Sequence, residues 1–85
     1  MYYVYVIRSQ VDGKLYKGIT SDLEKRVNAH NRGNVKSTRT RRPFKLIHQE
    51  EFKSKSEALA REKFLKTLKG GKILKSILIL DNDPR

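Results

Sequence analysis

Arg26 and His30 stand four residues apart in the stretch "KLYKGITSDLEKRVNAH", residues 14–30, beside the apolar positions of a helical pattern. Leu23, Val27 and His30 follow an i, i+4, i+7 spacing, and Arg26 falls three after Leu23 and four before His30. Arginine is rarely buried without a partner, so a guanidinium at a core margin must reach an anion or water. One reading is an anion-binding seam. The other is an arginine whose stem packs while its head stays wet, next to a half-buried histidine. Tyr5 and Tyr16 lie on two strand-like runs joined by a tight turn. If both face the same side, two phenols converge over one patch, although tyrosine is a favoured strand residue in any case. Glu62, in "ALAREKFLK", shares a helical side with Ala58 and Leu65 at the core margin, with Arg61 or Lys66 as an available ion partner.

Several elements must place these groups. "YYVYVIR", residues 2–8, is β-branched and aromatic, the composition of a strand. Asp12-Gly13 supplies a hairpin turn, and "KLYKGIT" returns as the second strand. On it Leu15, Lys17 and Ile19 point one way, and Tyr16, Gly18 and Thr20 the other. "SDLE" from Ser21 reads as a capping box that starts a helix over about 22–32, with Gly33 as its stop. "NVKSTRTRRP" is a basic loop closed by Pro43, and "FKLIHQEEF", about 44–52, is a third strand. Ser54-x-x-Glu57 is a second capping box. It opens a helix over about 55–68, where Ala60, Phe64 and Leu68 recur at helical spacing with Leu65 beside them. Gly70-Gly71 is expected to break that helix, a short third helix to cover about 70–80, and residues 81–85 to form a fraying polar tail. The order β-β-α-β-α-α makes an α+β domain over residues 1–85: a small, largely antiparallel three-stranded sheet flanked by helices, with its core in residues 2–68.

The 85 residues leave room for one domain, and the lack of cysteine excludes a disulfide framework or a thiolate metal site. No apolar run approaches the roughly 20 residues that span a bilayer. The start, "MYYVYVIRSQ", lacks the features of a signal peptide, so a cytoplasmic protein without a membrane partner is expected. Twenty Lys and Arg against nine Asp and Glu give a net charge of +11. Such a field attracts polyanions, and nucleic acid fits better than lipid because no helix pairs a strongly basic face with Trp or Phe.

"YVY" at residues 3–5 and "YKG" at 16–18 resemble the paired motifs of the GIY-YIG nuclease domain. Ten residues separate Tyr5 from Tyr16, Arg26 follows in the next helix with His30 four residues later, and Glu62 comes on the helix after that. The resemblance covers about residues 2–68, and "LKGGKILKSILI" is similar to the tail of small stand-alone, uncharacterised members of the UPF0213 type. The sequence departs from the motifs at Tyr3, Val4 and Lys17, where the pattern has Gly, Ile and Ile. These are packing positions; the chemistry-bearing side chains are retained.

The resemblance implies hydrolysis of a nucleic-acid phosphodiester, DNA before RNA, with one Mg²⁺ or Mn²⁺ ion. In it Glu62 is the metal ligand, Arg26 holds the scissile phosphate, Tyr16 is the general base, and Tyr5 orients water or phosphate. His30 assists the base or holds the phosphate; the two roles stay open. A hard cation that keeps most of its waters needs only one or two carboxylates plus substrate phosphate. The five cations of the loop, Arg32, Lys36, Arg39, Arg41 and Arg42, are expected to grip backbone phosphates outside the catalytic pocket, a positioning role that reads no sequence. The alternative is a DNA- or RNA-binding module of the same fold that does not cut. No appended recognition domain is visible, so specificity would come from a separate protein partner.

Overall fold

A computed structural model describes residues 1–82. The elements are β1 (Tyr2–Ser9), β2 (Leu15–Thr20), α1 (Leu23–Arg32), a single 3₁₀ turn (Arg39–Arg41), β3 (Phe44–Phe52), α2 (Lys55–Leu65) and α3 (Leu68–Asn82). This is the expected α+β order. The sheet runs β2-β1-β3, with both neighbours antiparallel to the central β1.

Because β1 is central and helices cover both of its faces, its run Val4-Tyr5-Val6-Ile7 is buried throughout. Val4 and Val6 pack with Ala58, Leu65, Leu74 and Leu78 from α2 and α3. Tyr5 and Ile7 turn to the opposite side and pack with Phe44, and with Leu23 and Val27 of α1. The register shifts between Val6 and Ile7: His48 opposes the first and Leu46 the second, which leaves Ile47 as the extra residue of a bulge. The bulge lets Leu46 join the α1 side while Ile47 joins the α2–α3 side.

Three boundaries differ from the sequence expectation. The cap of α1 is Asp22, not Ser21: its Oδ1 accepts from the Lys25 backbone N–H at 3.1 Å. Thr20 Oγ1 accepts from Asp22 N–H at 3.1 Å, which seats Asp22 one residue later than the Ser-x-x-Glu pattern suggests. The Ser54 capping box does form, but α2 ends at Leu65, and Gly70-Gly71 lie inside α3 instead of breaking a helix. The start of α3 is set earlier, by Thr67, whose Oγ1 accepts from Gly70 N–H at 3.0 Å. The buried stripe of α2 is Ala58 and Leu65; Ala60 and Leu68 are exposed. The Ala60–Phe64–Leu68 spacing therefore marks a flank, because the bend at residues 66–67 takes Leu68 off that face. Helix α3 extends through Asn82, so two of the five residues expected as a tail are helical; residues 83–85 lie outside the described residues. Among the described residues, no helix is long and apolar enough to cross a membrane.

Candidate active site

Tyr5 sits at the centre of β1, opposite Gly18 of β2. Its ring lies across that glycine: a Cβ at position 18 would stand 2.6 Å from the Tyr5 hydroxyl oxygen. The glycine of "YKG" is therefore the space the phenol occupies. Tyr16, two residues earlier on the same face of β2, brings its ring centroid to 6.3 Å from that of Tyr5. The phenols converge because adjacent strands place i and i±2 neighbours over one patch.

From above, α1 adds Arg26 and His30. Arg26 Nε donates to the Tyr5 hydroxyl at 3.2 Å. His30 Nε2 lies 2.9 Å from the same hydroxyl, and its ring meets that of Tyr16 edge-on at 4.9 Å. On its other side, His30 Nδ1 lies 2.8 Å from Thr38 Oγ1. His30, Thr38 and Tyr5 are all essentially without solvent exposure. Burial, with the neighbouring Arg26 charge second, pulls the His30 pKa down to about 4, so the ring is neutral at pH 7. Burial also raises the Tyr5 pKa; the Arg26 hydrogen bond opposes this, and Tyr16 and Glu62 add to it. Arg26 is raised in turn, chiefly by its bond to Tyr5.

Glu62 comes from α2, and its charge makes the smallest contribution to the raised Tyr5 pKa. Its side chain is mostly covered, at 16% exposure, and Lys66 Nζ one turn later stands 3.4 Å away. The alternative partner, Arg61, is taken by Glu50 of β3 through bonds of 2.7 and 3.1 Å, which fix how α2 is turned against the sheet. Among the described residues no three His, Cys, Asp or Glu side chains cluster. The available donor set is one carboxylate. That suits a hard, water-keeping divalent ion and does not suit zinc, which takes nitrogen or sulfur from three or four ligands. Beside Arg26, a cleft of about 390 Å³ opens between Thr20, Ser21, Asp22, Lys25 and Ala29. A guanidinium on the wall of an open polar cleft can present its remaining donors to an oxyanion.

A profile of the GIY-YIG catalytic domain matches residues 1–73. The chain belongs to the GIY-YIG family. Its fold is thereby of the nuclease type. Relatives include a UPF0213 protein of Staphylococcus saprophyticus, 47% identical over 77 residues, covering 89% of this chain and 93% of that one. A UPF0213 protein of Staphylococcus haemolyticus is 46% identical with the same coverage. The solution NMR structure of a UPF0213 protein from Bacillus halodurans superposes with a TM-score of 0.55 at 36% identity, covering 91% of this chain and 85% of that one.

In this GIY-YIG domain the basic loop is more structural than its composition suggests. Arg39 Nε donates to the Gly33 carbonyl at 2.9 Å. Arg41 bridges to Asp12 of the β1–β2 turn at 3.1 Å and lies over the Phe44 ring. The Arg42 guanidinium fills the space a side chain at Gly33 would need, and Gly33 itself has the left-handed φ of 83° that ends α1. Arg32 and Lys36 are exposed and enter no salt bridge among the described residues. Two residues escaped the sequence reading. Asn31 clasps the Phe44 backbone, accepting from its N–H at 2.6 Å and donating to its carbonyl at 3.2 Å. Thr38 holds His30. Neither belongs to a periodic pattern; the only sequence signal for Thr38 was an uncharged residue inside a run of cations.

Proposed function

We propose that this protein is a metal-dependent endonuclease that hydrolyses nucleic-acid phosphodiester bonds, DNA before RNA. The observation that carries this reading is the meeting of Tyr5, Tyr16, Arg26 and His30 on one face of the sheet; Glu62 joins them by resemblance to the family's motifs. Arg26 binds the scissile phosphate from the cleft wall, where its fork of donors relieves charge on the non-bridging oxygens. Tyr5 is pinned between Arg26 and His30, so it orients and does not take the proton. That leaves Tyr16, only partly buried, whose oxygen, once its own proton has passed to solvent, takes the proton of the attacking water. His30, neutral and without solvent exposure, acts through Tyr5 and does not touch phosphate. Glu62 would hold one Mg²⁺ or Mn²⁺, with Lys66 swinging aside; when bound, the ion supplies charge neutralisation at the leaving oxygen. Arg32 and Lys36 extend the grip to backbone phosphates.

The test is incubation with Mg²⁺ or Mn²⁺ and linear, nicked and branched DNA, with matched RNA, alongside Tyr16→Phe and Glu62→Gln. Cutting by the parent protein should drop at least about 100-fold in both variants, in the range typical for loss of a general base, while binding persists. Binding without cutting in every sample would leave the alternative of a non-cutting module. Equal cutting by the Glu62 variant would reject the assignment.

A further inference from the structure

The hydrogen bonds around His30 form a chain whose direction is fixed at the Arg26 end. Arg26 can only donate, so the Tyr5 oxygen accepts from it. At the far end, Thr38 Oγ1 stands 2.8 Å from His30 Nδ1 and 3.4 Å from the Val35 carbonyl, which also accepts the Thr38 N–H at 3.1 Å. A hydroxyl has one proton. The Tyr5 proton has His30 Nε2 as its acceptor, so the ring proton sits on Nδ1 and the Thr38 oxygen accepts it, which leaves the Thr38 proton for Val35. The His30 Nε2 is then a bare lone pair, and it takes the Tyr5 hydroxyl proton.

We propose that Thr38 is a positioning residue: by accepting the Nδ1 proton of His30 it locks that ring in one tautomer, and through it turns the Tyr5 oxygen toward Arg26. The loop that delivers Thr38 carries four cations, yet this residue is fully buried beneath it. The tight turn from Val35 to Thr38, closed by a backbone bond of 3.1 Å, aims its hydroxyl at the ring. In the opposite tautomer Nε2–H would donate to Tyr5. The Tyr5 oxygen would then accept from both His30 and Arg26, and its own proton would be left without either as an acceptor. The neutral state of His30 agrees with this, since one ring nitrogen must stay bare. That the Tyr5 hydroxyl so oriented helps place Arg26 against the scissile phosphate rests on the nuclease reading; the tautomer itself does not.

Long-range ¹H–¹⁵N correlation on uniformly labelled protein reads the tautomer directly. The parent protein should show His30 protonated at Nδ1 and bare at Nε2. Thr38→Val keeps the volume and removes the acceptor, so the bare nitrogen should shift to Nδ1 or the two forms should mix. Thr38→Ser should restore the parent pattern. In cutting assays Thr38→Val should lower kcat at least about tenfold with KM within about twofold, and Thr38→Ser should recover it. A parent ring protonated at Nε2 overturns the proposal, and so does a folded Thr38→Val ring that matches the parent. If Thr38→Val does not fold, the parent tautomer and the Thr38→Ser spectrum still decide. None of the NMR outcomes needs a substrate, so they stand whether or not the protein cuts nucleic acid.

Discussion

His30 shows how a residue type misleads until its surroundings are known. An imidazole beside an arginine suggests a second phosphate ligand. Buried between Tyr5, Thr38, Tyr16 and Phe44, it has no route to one. Its pKa falls from 6.5 to about 4, so between those values the unfolded chain takes a proton that the native ring refuses. The associated stability is complete above pH 6.5 and is lost as pH falls toward 4, by about 3 kcal/mol if the whole shift is realised. The His30 ring resonances should therefore stay fixed from pH 8 to 5. Movement with a midpoint near 6.5 would show that the ring is open to water and charged.

At the scale of elements, glycines do two different jobs in α3. A Cβ at Gly70 would collide with the Phe64 carbonyl oxygen and the Leu65 backbone at the end of α2, so α3 can approach only where that position is bare. At Gly71 the nearest such atom is the Leu65 oxygen at 3.9 Å, an ordinary contact. Gly70→Ala should lower stability by about 1–3 kcal/mol, as overpacking does, because backbone and not a flexible side chain must give way. Gly71→Ala should be neutral or raise it by up to about 1 kcal/mol, since alanine is the better helix former. Urea denaturation of the two variants decides; destabilisation of equal size in both would mean that helix propensity and not the α2–α3 approach is at stake. The pair "GG" looks like one breaker in the sequence because the approach of α2 is set by Thr67 and the bend at 66–67, which no periodicity announces.

For the whole molecule, the net charge of +11 sets the sign of the partner, but the fold decides which cations are available to it. Arg39 and Arg41 are spent in part on Gly33 and Asp12, whereas Arg32 and Lys36 stay exposed. Removing both of the latter should reduce the salt slope of DNA binding by about two, since each phosphate no longer gripped lowers it by about one, and leave the thermal midpoint unchanged. Arg41→Ala should also lower the midpoint, because Asp12 loses its partner and Phe44 its cover. If Arg32 and Lys36 leave the slope unchanged, the phosphate track runs elsewhere on the surface.

The order of elements, the third strand, the Ser54 cap and the Gly33 stop were legible from local pattern alone, because capping and left-handed turns are properties of a few neighbouring residues. That Tyr5, Tyr16, Arg26 and His30 could meet over one patch was legible too, from type, spacing and resemblance. What only the tertiary structure decided is the direction of their hydrogen bonds: that Gly18 makes room for Tyr5, that Arg61 belongs to Glu50 and leaves Glu62 to Lys66, and that Thr38 lies under His30. Each depends on contact between segments far apart in the chain, and a donor's choice among several acceptors is made by distance and burial, which composition and spacing do not encode.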